Sequence, residues 1–73
     1  MGARVECYAG ARYPERPRAF IHQGERLTVA QVEGEERTPR GIRFRVRTSD
    51  GRRFRLSYDE INDVWDVQAE GFA

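Results

Sequence analysis

The chain has 73 residues, of which 38% are hydrophobic and 34% charged, and a formal net charge of +1. That describes one small folded domain (residues 1–73) with a heavily charged surface, and it excludes a disordered tail or a globally cationic polyanion binder. A single cysteine excludes an internal disulfide and a cysteine-built zinc cluster, and no stretch approaches the roughly 20 apolar residues of a membrane-spanning helix.

Residues 4–9 alternate, with Val5, Cys7 and Ala9 on one side and Arg4, Glu6 and Tyr8 on the other, which predicts a first strand. Cys7 reads as a small buried hydrophobe. Gly10 to Pro17 reads as a loop, because Pro14 and Pro17 block helix and inner-strand pairing. Tyr13 is expected to fold over an open barrel end. Arg18 to Gln23 follows as a short strand with Phe20 inward. A two-residue Gln23-Gly24 turn would place Phe20 opposite Leu27 and His22 opposite Glu25. The next strand, Arg26 to Glu33, carries Leu27 and Val29 inward. Val32 falls out of phase, so a bulge at Ala30-Gln31 is expected to return it to the core. Gly34 to Gly41 reads as a polar, mobile loop.

The strongest signal is the stretch from Gly41 to Tyr58. Ile42, Phe44 and Val46 alternate with Arg43, Arg45 and Arg47; Phe54, Leu56 and Tyr58 alternate with Arg53, Arg55 and Ser57. This is a hairpin with one apolar and one guanidinium face. A two-residue loop would set Arg47 opposite Phe54. A three-residue loop, Ser49 to Gly51, pairs Val46 with Phe54, Phe44 with Leu56 and Ile42 with Tyr58, and so is preferred. It also sets Arg47 opposite Arg53 and Arg45 opposite Arg55, like-charge pairs that each cost about 0.2–1 kcal/mol. Something anionic should offset this: an acidic neighbouring strand or an external polyanion. Asp59 to Asp63 then reads as one helical turn or a tight connection, with Ile61 plugging the core, Val64 to Val67 as a last strand with Trp65 and Val67 on one face, and residues 69–73 as a frayed tail.

Charge is polarised along the chain. Residues 37–55 hold eight Arg and one Asp, whereas residues 56–73 hold five acids and no base. Every basic residue is Arg, which fits a genome-wide codon bias better than selection at one site. The candidate anion or nucleic-acid contacts are Arg43, Arg45, Arg47, Arg53 and Arg55 on the sheet face, with Arg37 and Arg40 at its end. That face lacks interleaved aromatic rings, which single-strand readers use to stack bases. Catalysis has little support. His22 is the only histidine, Cys7, Ser49 and Ser57 have no evident activating base, and Asp59, Glu60, Asp63 and Asp66 lack the spacing of a calcium loop. No metal or cofactor is expected.

The run from Pro14 to Phe20, then Gly24, the hairpin and Asp63-Val64-Trp65-Asp66-Val67 resembles small bacterial β-rich proteins of unknown function. Their shared marks are a Pro-x-x-Phe start, a Gly-turn hairpin and a terminal Trp strand. The resemblance implies a β fold and supplies no activity, cofactor or site residue.

The expected fold is all-β: a small antiparallel barrel or curved sheet of five to six short strands, SH3-like or OB-like in size, with at most one helical turn. Residues 1–11 lack a long apolar run, so no signal peptide and a reducing cytoplasmic setting are expected. The expected function is a non-enzymatic binding module acting through the Arg face, with nucleic acid as one ligand class. The alternative is a protein-interaction or self-association module, a homodimer being one form of it, in which acids of the same or another chain neutralise that face.

Overall fold

Alternating apolar and polar residues form six strands: β1 (Val5–Cys7), β2 (Pro17–His22), β3 (Glu25–Thr38), β4 (Gly41–Thr48), β5 (Arg52–Asp59) and β6 (Val64–Phe72). The computed structural model describes residues 4–7 and 16–72, with the side chains of Cys7, Gly71 and Phe72 left out. The expectations for Cys7 burial, for Tyr13 and for most of the proline loop fall outside these residues. The strands pair antiparallel in simple chain order, β1 to β6, as one curled sheet. The barrel stays half-open: no ladder joins β1 to β6 among the described residues.

The central hairpin has the register its face pattern requires. Val46 pairs with Phe54, Phe44 with Leu56 and Ile42 with Tyr58. The loop is Ser49 to Gly51, closed by Gly51 N donating to Thr48 O at 3.0 Å, and Gly51 adopts a φ of 89°. A side chain there would be strained, so the bulged turn needs this glycine. Buried Thr48 holds the loop from below. Its hydroxyl donates to the Asp50 carboxylate and accepts from Arg52 N at 3.2 Å. The β2–β3 turn is equally direct: Gln23 and Gly24 have φ of 52° and 80°, Phe20 pairs with Leu27, and His22 pairs with Glu25.

Strand β3 is longer than its apolar content suggests. The bulge at Ala30 is present: Val29 pairs with Thr48, Gln31 with Arg47, and Val32 returns to face Val46. The loop expected at Gly34 to Gly41 is instead ladder. Gly34, Glu35, Glu36, Arg37 and Thr38 pair with Arg45, Phe44, Arg43, Ile42 and Gly41, leaving Pro39-Arg40 as the turn. Pro39 suits a tight turn because its φ is preset, and Gly41 N donates to Thr38 Oγ1 at 3.0 Å. The polar segment is held by backbone pairing and by charge across the strands, neither of which leaves an apolar period in the sequence.

Strand β6 also outruns its expected end. It pairs with β5 as far as Arg52 opposite Phe72, five residues beyond Val67. Of the two forms expected for the β5–β6 connection the tight turn is the one present, but Ile61 is 71% exposed and does not plug the core. The cause is Asp59, whose carboxylate accepts from Ile61 N (2.9 Å), Asn62 N (3.1 Å) and Asn62 Nδ2 (3.0 Å). That Asx turn fixes the chain with Ile61 pointing away from the sheet.

The core lies on the concave side. Phe20, Leu27, Ile42, Phe44, Val46, Phe54 and Leu56 are buried, and Val5, Val29, Val32, Tyr58, Trp65 and Val67 pack around them. Phe20 stands edge-on to Phe54 at 5.0 Å, and Trp65 stacks on Phe44 at 6.0 Å. Burying a side chain of this size stabilises by roughly 1.5–3 kcal/mol. At the other end of the sheet, Arg26 makes a two-pronged contact with Glu6 (2.9 and 3.0 Å) that spans β2 and ties edge strand β1 to β3. The hydrogen bond from Arg26 holds the Glu6 carboxyl below its ordinary pKa.

Candidate functional site: the arginine face

Directly paired residues project to the same side of a sheet. The register therefore lays out the convex face of β3 to β6 in rows. One row is Glu36, Arg43, Ser57, Asp66; the next is Gly34, Arg45, Arg55, Gln68; the third is Gln31, Arg47, Arg53, Gly71. Arginine occupies five of the six middle positions, Ser57 being the sixth, and the flanks hold acid or amide groups except at Gly34 and Gly71.

The two flanking strands each carry a bulge beside the third row. In β3 the register shifts between Val32 and Gly34, so Glu33 is the extra residue; in β6 it shifts so that Glu70 is extra. Each bulge thus sets a Glu-Gly pair, Glu33-Gly34 and Glu70-Gly71, consecutively on the arginine side. Bulges re-aim side chains, and here both re-aimed side chains are carboxylates. Glu33 lies between a like-charge pair, 3.7 Å from Arg47 Nη1 and 3.3 Å from Arg53 Nε. Glu70 lies 3.4 Å from Arg55 Nε, and Glu36 lies 3.4 Å from Arg43 Nη1. Arg47 also donates to Gln31 Oε1. The Nε atoms of Arg43, Arg53 and Arg55 are sealed from solvent without a hydrogen bond. The contacts of Arg53 and Arg55 with their glutamates are therefore charge contacts at poor hydrogen-bond angles, with the aliphatic stems lying along the sheet.

Arg45 differs from the other four. It is exposed and makes no ion pair among the described residues, and its guanidinium lies over Gly34. A Cβ at Gly34 would come within 2.7 Å of Arg45 Nη2, so the glycine is what lets the side chain lie there.

The two remaining sequence candidates sit elsewhere. Arg37 pairs with buried Ile42, which puts it on the opposite side of the sheet from Arg43, and it lies 3.5 Å from Glu60. Arg40 is in the β3–β4 turn and donates to Asp59 at 2.9 Å. Burial opposes charge on Asp59, yet the hydrogen bonds from Arg40, Asn62 and the turn amides outweigh it and hold its carboxyl at about 2. Arg52, at the far end of the hairpin, contacts Asp50 at 2.8 Å and Glu25 at 3.3 Å and lies over the Phe54 ring. Hydrogen bonds from Arg52 and Thr48 likewise hold Asp50 at about 2.

No family model, curated protein or solved structure matches the chain.

An open basin of about 430 Å³ lies beside Arg43, bounded by Pro39, Arg40, Ser57, Val64 and Asp66. It contains hydroxyls and charges of both signs, with Asp66 opposite Ser57 across the strands, but Ser57 Oγ makes no hydrogen bond to a base among the described residues that would activate it. His22 is half-buried and stands edge-on to Phe54 at 5.0 Å, so its ring is a packing element. Among the described residues no group of three or more His, Cys, Asp or Glu is placed to hold a metal ion, and no helix is long and apolar enough to cross a membrane.

The sequence points to an acidic neighbouring strand, with Glu33 and Asp66 as carboxylates for Arg45 and Arg55; in the structure Glu33 serves Arg47 and Arg53 instead, and the partner of Arg55 is Glu70, which sequence reasoning missed. The signal was present as two Glu-Gly dipeptides, each beside a flanking strand. It was obscured because both segments look like loop or tail when only apolar periodicity is followed.

Proposed function

We propose that this chain is a small protein-interaction module whose Arg-rich sheet face is neutralised from within by its own carboxylates. The observation that carries the reading is Glu33, seated between Arg47 and Arg53. Four of the five face arginines have a carboxylate within 3.7 Å. A polyanion reader needs several cations free to displace counterions along a phosphate backbone, and Arg45 alone meets that need. The described aromatic rings pack on the concave side with the core, so among the described residues the convex face carries no ring on which bases could stack.

The test is a titration of fluorescent single- and double-stranded oligonucleotides at about 20 mM salt, where screening is weak. The wild-type chain should show no salt-sensitive binding. A Glu33→Gln/Glu70→Gln double variant, with its arginines released, should gain some. Wild-type binding that weakens steeply with salt and disappears in Arg45→Glu would return the face to the nucleic-acid reading.

A further inference from the structure

Strand β6 is an edge strand nine residues long, with its far side unpaired among the described residues. Such an edge is a template for another strand. What it would accept is set by its two faces. On the concave side Trp65 and Val67 are half-buried, leaving apolar surface at the rim of the core. On the convex side Asp66 is exposed and makes no ion pair among the described residues, and Glu70 lies beside it in sequence order with Gln68 between. Residues 56–73 contain no base at all.

We propose that β6 is a β-augmentation site for an extended segment of another protein in which basic side chains alternate with apolar ones. The proposal rests on the protein-interaction reading above. The sheet already follows the same rule internally. Acid-bearing β3 flanks arginine-bearing β4, and arginine-bearing β5 flanks acid-bearing β6, with apolar pairs such as Val32–Val46, Leu56–Val67 and Tyr58–Trp65 on the other side. The next strand in that series is basic on the convex face and apolar on the concave one. Main-chain pairing would supply affinity and the alternating side chains selectivity. A second copy of β6 is the wrong partner: paired antiparallel about Gln68, it would set Asp66 against the Glu70 of the other copy twice over, and like charges across strands repel.

The probe is a capped octapeptide, Thr-Val-Arg-Val-Arg-Val-Arg-Thr, with a twin carrying Glu for Arg. Trp65 is the only tryptophan, so its emission reports on β6 directly, and amide hydrogen exchange resolves the strand residue by residue. The Arg peptide should shift the Trp65 emission to the blue and slow exchange on β6, while the Glu twin does neither. Asp66→Lys should weaken the Arg peptide about fivefold and favour the twin, with the circular dichroism of the free chain unchanged. Equal binding of both peptides removes the charge selection and sinks the proposal. So does protection of β6 in the free chain at doubled mass, since the edge then belongs to a second copy. No response at millimolar peptide removes the edge site alone; the protein-interaction reading is judged separately by the oligonucleotide titration.

Discussion

On the concave side of the β4–β5 hairpin, Val46 meets Phe54 and Phe44 meets Leu56; on the convex side of the same register, Arg47 meets Arg53 and Arg45 meets Arg55. The first set of partners attract once water is removed. The second set repel. The apolar pairs reinforce each other within the hairpin, and Phe20, Leu27 and Trp65 close over them, while the arginine pairs oppose each other and depend on β3 and β6 to supply Glu33, Glu36 and Glu70. That dependence is a reason for β3 and β6 to extend as far as they do: their outer portions, Gly34 to Thr38 and Gln68 to Phe72, carry few core residues and line up against arginines.

The largest break in this comparison comes from the apolar side. Phe54 is fully buried and in ring contact with both Phe20 and His22. Phe54→Ala should cost ~3–5 kcal/mol, enough to unfold much of the population of so small a domain. Urea unfolding followed by Trp65 fluorescence measures it. A cost under about 1 kcal/mol would show that the concave face is not the core.

On the charged side the matching variant is Glu33→Gln, which leaves Arg47 and Arg53 facing each other without their shared carboxylate. The expected cost is about 1 kcal/mol, since exposed ion pairs contribute little individually and the like-charge pair adds its repulsion. The same urea experiment in molar salt sharpens the contrast. The Glu33→Gln deficit should largely close there, because screened charges no longer repel across the strand, while the Phe54→Ala deficit should persist.

How much of this was legible in the sequence follows the same division. The register of residues 41–58 could be read because a wrong loop length would have put Phe54 in water, and the Ala30 bulge because Val32 was out of phase. Apolar residues report their own errors in this way. The segments at Gly34–Thr38 and Gln68–Phe72 could not be read, because strands held by backbone ladders and ion pairs have no period that hydrophobicity reveals. Ile61 was misplaced for the complementary reason: an apolar residue was assigned to the core, whereas the side chain of Asp59 dictates the turn and leaves Ile61 outside. The arginine face itself was visible as five alternating residues, but its neutralisation depended on two bulges and so on tertiary register.

Acid should affect the two ends of the hairpin before it reaches the apolar face. Asp50 and Asp59 are both held at about 2 in the folded chain, below the roughly 3.9 of an unfolded aspartate. A depressed carboxyl stabilises the fold in full above the unfolded value, and its contribution is lost as pH falls from about 4 through about 2. Thermal unfolding across that window should show the loss, and Asp50→Asn and Asp59→Asn should each flatten part of the slope. An unchanged slope in both variants would mean that these two turns are not where acid acts.

The smallest expected effect is also the most discriminating. Arg45 stands opposite Arg55, makes no ion pair among the described residues, and lies over Gly34. If the convex face is purely an internally balanced surface, Arg45 is the one of its five arginines without an ion pair among the described residues, and Arg45→Glu should stabilise the chain by a few tenths of a kcal/mol by turning a repulsive pair into an attractive one. Its effect should also fade with salt, as for Glu33→Gln but with opposite sign. A chain that becomes less stable by more than about 0.5 kcal/mol would show that the Arg45 stem contributes packing against Gly34 that outweighs its charge. Gly34→Ala separates the two outcomes, because a methyl group at that position displaces the guanidinium by contact at 2.7 Å while leaving its charge on the face. Stabilisation by Arg45→Glu together with little change in Gly34→Ala makes charge the deciding term on this side of the hairpin, as packing is on the other.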